Sequence, residues 1–170
     1  MANPFVGYDN IIPLLAPVAA TTGTLTSAYM DLKGAHKASF LIMFGAITST
    51  TVTDELVVTV DAATTDDGGT EIAVPFTYRK SGAVGANTWG AVTTCTSTGF
   101  GFGADDSDNM LGWVQVDPDA MAADGFRYIR FVITPSPASQ MEAYVAGGVG
   151  ILESRYKQTT HISATASASA

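Results

Sequence analysis

The chain has 170 residues and a mass of 17.6 kDa, and only 14% of its residues are charged. Its 8 Lys and Arg against 16 Asp and Glu leave a net charge of −8, so it lacks the clustered cations with which nucleic-acid-binding proteins displace counterions. A hydrophobic fraction of 46% is untypical of disordered chains, and no uncharged apolar run reaches the ~20 residues of a membrane-spanning helix. The length predicts one domain with its own core.

The N-terminal residues and the cysteine content indicate the compartment. Residues 1–8 lack the basic start and apolar core of a secretory signal, so we expect synthesis in the cytoplasm. Cys95 is the single cysteine, which excludes an internal disulfide and a cysteine-based metal cluster.

Residues 1–20 are predicted to form an extended N-terminal arm, because three prolines within them disfavour helix. Elements then follow in chain order: a short strand within 25–32, a turn at 33–37, strands at 38–47 and 55–62, a tight turn at 66–69 and a returning strand at 71–80 that Pro75 places at an edge or bulge. The run at 38–47 is continuously apolar, which predicts a strand buried on both faces or one lying next to a contact.

The second half continues the same pattern. We predict one or two short strands within 89–98, a strand at 110–116, a helical turn at 120–123, and strands at 126–134 and 141–156. Many short strands between Gly, Asp and Pro turns are typical of an all-β antiparallel sandwich or jelly roll. The predicted organisation is therefore a single sandwich domain at 21–157, with the arm at 1–20 and a low-complexity tail at 158–170.

Residues with catalytic or metal-binding potential are few. His36 and His161 lie in a turn and in the tail, and we interpret both as solvated, whereas Cys95 is interpreted as a small buried residue of a strand. The acidic run at 105–109 could wrap Ca²⁺, but it lacks the Gly and Glu positions of an EF-hand, and a solvated loop is the simpler interpretation. The Gly-rich run at 98–103 lacks the Lys of a phosphate loop and is interpreted as a bulged β segment with two aromatic anchors. We predict no catalysis, no cofactor and no metal.

Binding is better supported than catalysis. The arm is apolar and nearly uncharged, as suits a segment that docks along a neighbouring chain or folds back on its own domain. Arg residues that alternate with aromatic residues at 126–131 are typical of interfaces. A sandwich strand with one solvent-exposed face would show the same pattern. The predicted partner-contact residues are Phe5, Tyr8, Ile11, Ile12, Arg127 and Arg130.

Three groups of segments resemble small virion structural proteins of tailed bacteriophages, a group that includes capsid decoration (cement) proteins. The first is VDAATTD at 60–66 with AVPFTYRKSG at 73–82 and TWGAV at 88–92; the second is VDPDAM at 116–121 with GFRYIR at 125–130; the third is LAPV at 15–18 with LKGAHK at 32–37. The resemblance implies a non-enzymatic component on the capsid surface of the virion. Its partners would be the major capsid protein and further copies of the chain, with a trimer expected from the local threefold axes of such shells.

Two alternatives stay open. One is another virion part, such as a head–tail, tail or fibre subunit. The other is a β-sandwich adhesin that binds carbohydrate or calcium through Trp89 or Trp113 and the loop at 105–108.

Overall fold

The structure, a computed structural model, describes residues 9–49, 55–103, 108–137 and 141–154. Its strands and one short helix are, in chain order, β1 (Asp9–Ala20), β2 (Leu25–Thr26), β3 (Met30–Asp31), β4 (Ala35–Ser49), β5 (Glu55–Ala63), β6 (Glu71–Ala73), β7 (Phe76–Lys80), β8 (Thr93–Cys95), β9 (Phe100–Gly103), β10 (Leu111–Val116), α1 (Pro118–Ala123), β11 (Tyr128–Ser136) and β12 (Met141–Ser154).

The strands form two antiparallel sheets that pack face to face. The first sheet has the order β1-β12-β4-β10-β7-β8, and the second has β2-β11-β5-β6, with β3 also paired to β11 and β9 to β5. The predicted all-β sandwich is therefore confirmed, while the more specific jelly-roll arrangement stays a prediction. No helix of the described residues is long and apolar enough to cross a bilayer.

Several strands differ in extent from their predicted ranges. The strand predicted at 71–80 divides at Pro75: β6 pairs with β5 in the second sheet, while β7 pairs with β10 in the first. Proline has no N–H to donate to a ladder, so pairing stops there and the chain can change sheets. The described part of the predicted arm, β1, is an edge strand paired along its length with β12.

The core lies between the sheets and is rich in aromatic rings. Phe40 and Phe131 meet across it edge to face at 5.4 Å, and Tyr78 stacks on Phe100 at 3.8 Å. Both rings of the Gly-rich run at 98–103 are buried, as the interpretation of two aromatic anchors requires.

Helix α1 closes one end of the sandwich. The Asp117 side chain caps it by accepting a hydrogen bond from the Asp119 N–H, and Pro118 stands in the first turn, where a missing N–H costs nothing. Met121 anchors the helix in the core.

Candidate interaction surface

The apolar runs at 38–47 and 143–152 become neighbouring strands in the first sheet. In the pairing of β4 with β12, Leu41 lies opposite Val149. Strand alternation buries Phe40 and Ile42 fully in the core and turns Leu41 and Met43 to the other side, where Met43 is 43% exposed. The strand predicted to be buried on both faces thus has one face covered by its own chain and one face open.

The open side is apolar well beyond β4. Strand register brings apolar residues of β1, β12, β4 and β10 into adjoining rows on this side of the first sheet. We call this surface the apolar face, and it consists of Ile11, Pro13, Leu41, Met43, Leu111, Trp113, Val145, Val149 and Ile151.

Charges lie at the border of the apolar face. The ion pair between Lys37 and Glu153, 3.1 Å from nitrogen to oxygen, marks one end of the β4–β12 ladder. On the side of β7, Arg79 lies opposite Trp113. Between them lie the apolar face and two uncharged polar residues, Ser39 and Gln115.

The apolar face is comparable in size to the largest apolar patch of an ordinary monomer. A strand spacing of ~4.8 Å and a rise of ~3.3 Å per residue give it roughly 20 Å by 20 Å, or roughly 400 Å². Contiguous apolar patches of about 300–600 Å² are the largest on ordinary monomers and are often functional. The apolar face falls within this range, which makes it a candidate interaction surface.

The outer side of the second sheet provides an internal comparison. There, β5 and β11 turn Thr59, Asp61, Arg130 and Thr134 outward, together with the apolar side chains of Val57 and Val132. This is the polar outer face that antiparallel sandwiches normally expose to water. The outer side of the first sheet is therefore the more apolar of the two.

Two tryptophans extend the apolar face towards β7. The rings of Trp89 and Trp113 are perpendicular, with centroids 6.3 Å apart, and the guanidinium of Arg79 lies 5.9 Å from the Trp89 ring. A bridge between Ser81 and Trp89 ties the loop that carries Trp89 to the end of β7. We call Arg79, Trp89 and Trp113 the tryptophan cluster.

The predicted arm anchors fall in different places. Ile11 is 48% exposed and belongs to the apolar face, whereas the next residue, Ile12, points into the core. The alternation of β1 separates them, so only Ile11 presents its side chain outward. Phe5 and Tyr8 lie outside the described residues.

Arg127 and Arg130 are both bonded within the chain and lie on the second sheet. Arg127 donates two hydrogen bonds to Asp31, at 2.8 and 2.5 Å. Arg130 contacts Glu71 at 2.6 Å and Asp61 at 3.6 Å. Their charges are largely compensated at positions remote from the apolar face.

The pKa values of the two carboxyl groups beside Arg130, those of Asp61 and Glu71, are shifted from their ordinary values. Burial, together with the adjacent Glu71 carboxylate, raises the pKa of Asp61 to about 6. Burial also tends to raise the pKa of Glu71, but hydrogen bonds from Tyr29, Asp61 and Arg130 outweigh it and the pKa is lowered. A cavity of about 300 Å³ adjoins this group. No set of three or more metal-binding side chains occurs among the described residues.

Other predicted chemical groups take structural roles. Cys95 is buried in β8, as interpreted, and burial raises the pKa of its thiol. His36 is exposed. Asp108 accepts a hydrogen bond from the Ile47 N–H at 2.7 Å, whereas the acidic residues at 105–106 lie outside the described part.

A cavity of about 480 Å³ opens near α1. Apolar walls contributed by residues such as Leu32, Pro118 and Phe126 surround it, and Lys33 and Arg127 stand among them. Its lining has no carboxylate, imidazole or thiol.

No family model, curated protein or solved structure matches this chain. The functional interpretation therefore depends on the geometry of the apolar face and on the sequence resemblance.

Sequence reasoning missed most of this surface. Only Ile11 was predicted as a contact, while Met43 and Arg79 were not. The signal was nevertheless present, because a continuously apolar run at 38–47 predicts either a second buried face or a contact. What the run could not indicate was which other strands share the open side.

Proposed function

We propose that this chain is a non-enzymatic virion protein of a tailed bacteriophage, specifically a decoration protein that binds the outer surface of the capsid and stabilises the shell. The apolar face carries the proposal, because apolar patches of its size, roughly 400 Å², are often functional. The resemblance to phage virion proteins supplies the identity of that partner, the major capsid protein.

The area of the apolar face supports binding through several copies of the chain. Contact over the whole apolar face would bury roughly 400 Å² on each partner, or roughly 800 Å² in total, below the ~1,200–2,000 Å² of stable specific interfaces. One copy would bind weakly through this face alone. A homo-oligomer such as a trimer multiplies the contacts, so its copies hold neighbouring capsomers together.

The mechanism is purely adhesive. Each bound copy removes apolar surface from water at ~25 cal/mol per Å², partly offset by the entropy lost on association. Copies that span two capsomers add this free energy to the intact shell and not to separated subunits. Heat resistance of the shell should therefore rise with occupancy.

The experiment uses shells assembled from the major capsid protein of the same phage. Met43→Asp places a carboxylate in the apolar face, and Thr134→Asp places one at an exposed position of the second sheet. We expect the wild type and Thr134→Asp to co-sediment with shells and to raise their melting temperature, and Met43→Asp to do neither. Failure of the wild type to bind shells would refute the proposal.

Copy number separates this function from another virion role. A decoration protein should be present in a fixed ratio to the capsid protein over the whole shell, whereas a tail or vertex component is present in far fewer copies. Quantitative mass spectrometry of purified particles measures this ratio directly. For the adhesin alternative, the exposed Trp89 ring is the relevant feature, and binding on a glycan array would favour it.

A further inference from the structure

Arg79 is an exposed cation beside an apolar face, in a chain that is acidic as a whole. Its strand, β7, places it opposite Trp113, and its guanidinium lies over the Trp89 ring. Within the described residues, no carboxylate forms an ion pair with Arg79. Three other cations of the same part of the chain do have acidic partners, namely Lys37, Arg127 and Arg130.

The surroundings of Arg79 suit one kind of ligand. A planar guanidinium held over an indole ring keeps its N–H groups in a fixed plane and can form two parallel hydrogen bonds to a carboxylate. Apolar neighbours exclude water on contact, which strengthens a charge pair there. Trp and Arg are also the residues enriched at the energetic centres of interfaces.

We infer that the tryptophan cluster is the polar anchor of the apolar face and that it binds an Asp or Glu side chain on an otherwise apolar surface of the partner. This inference rests on the proposed function, in which the apolar face docks on the shell. It adds the chemistry of the partner: an apolar patch bordered by one uncompensated carboxylate.

The charge pattern favours a different protein over a second copy. A second copy would bring the same apolar face, whose bordering carboxylate Glu153 is already paired with Lys37. Face-to-face contact of two copies would therefore leave both Arg79 side chains without an acid. A partner with its own carboxylate satisfies the charge, and self-association is the competing outcome of the test.

The first arm of the test measures shell binding as a function of salt. Arg79→Gln removes the charge, and Lys33→Gln removes an exposed cation outside the apolar face as the matched control. We expect Arg79→Gln to weaken binding by about tenfold or more at low salt and to flatten the salt dependence, because a charge pair is screened by ions. Lys33→Gln should stay within about twofold of the wild type.

The second arm does not need the shell. Two strand-forming peptides of alternating Leu and Thr, one with a central Glu and one with Gln in its place, are titrated into the labelled protein. We expect the Glu peptide to shift the indole N–H signals of Trp89 and Trp113 more strongly, and Arg79→Gln to abolish the difference.

The outcomes separate the two proposals. If the wild type binds shells and Met43→Asp does not, but Arg79→Gln binds like the wild type with the same salt dependence, the anchor is wrong and the docking surface stands. If the wild type fails to bind shells, the proposed function is wrong, and the peptide pair alone decides the anchor. Equal shifts from both peptides, or self-association of the wild type that survives Arg79→Gln, would overturn the inference.

Discussion

Gly148 lies directly beneath the ring of Phe131, so that a Cβ added to the glycine would come within 2.7 Å of the ring's Cζ atom. Gly148 belongs to β12 of the first sheet and Phe131 to β11 of the second. The missing side chain thus sets how closely the two sheets approach at this point. Gly150, two residues later, also allows a close approach, because a Cβ there would collide with the Met30 sulfur.

Gly148→Ala should destabilise the fold by about 1–3 kcal/mol, because the extra methyl group overpacks the core and the backbone must shift. Urea unfolding followed by tryptophan fluorescence measures this loss. Gly23→Ala is the control, since a Cβ there meets nothing within 4 Å, and it should change stability by less than about 0.5 kcal/mol. Equal effects of the two substitutions would contradict the packing argument.

Asp31→Asn should cost about 1 kcal/mol at pH 7, because it weakens the bidentate pair with Arg127, which is half exposed. Burial tends to raise the pKa of Asp31, but the bonds from Arg127 and the Lys33 N–H outweigh it and hold the pKa below its ordinary value. The folded chain therefore favours the ionised form, and its contribution is lost as the pH falls below about 4. Chemical denaturation at pH 7 and pH 3 should show the variant and the wild type converging at the lower pH.

The contribution of Asp61 to stability should depend on pH in the opposite direction to that of Asp31, and Asp61→Asn tests this. The pKa of Asp61 is raised to about 6 in the folded chain, so folding favours the protonated form and this carboxyl stabilises the fold more at pH 4 than at pH 7.5. The neutral amide lacks this dependence and should be more stable than the wild type by about 1 kcal/mol at pH 7.5, after solvent screening. Melting curves across this range measure the difference, and a variant less stable than the wild type at pH 7.5 would count against the assignment.

The Cys95 thiol should react with an aromatic disulfide reagent about tenfold or more slowly in the native chain than in 6 M urea. Burial raises the pKa of the thiol and reduces the fraction of thiolate that attacks the reagent. Absorbance of the released thiolate follows the reaction. Equal rates in both conditions would mean that β8 does not protect this side chain.

Strand positions could be read from local pattern because burial on a pleated strand alternates with period two. Leu56, Val58 and Val60 alternate with half-buried neighbours, and β5 forms there with those three residues fully buried. The turn after it also follows from local chemistry, since Gly68 adopts a positive φ of 86° that other residues avoid. These features depend on near neighbours in sequence, which is why they were predictable.

Which strands pair with each other does not depend on near neighbours in sequence, so it could not be predicted in this way. Pro75 signalled an interruption, yet nothing in its neighbourhood indicates that β6 and β7 belong to different sheets. Likewise, Arg79 meets Trp113 only because β7 pairs with β10, and Trp89 joins them through its bridge to Ser81. The anchor at the border of the apolar face is therefore a product of pairing.

The amino-acid order by itself determined that the chain is β-rich, acidic as a whole and continuously apolar at 38–47, because propensity, charge and alternation are properties of neighbouring residues. Only the tertiary structure decided that this run keeps one face open, and that Ile11 and Met43 share that face while Ile12 does not. The reason is that the side a residue faces depends on which sheet covers its strand, and that choice is made by contacts between segments distant in sequence.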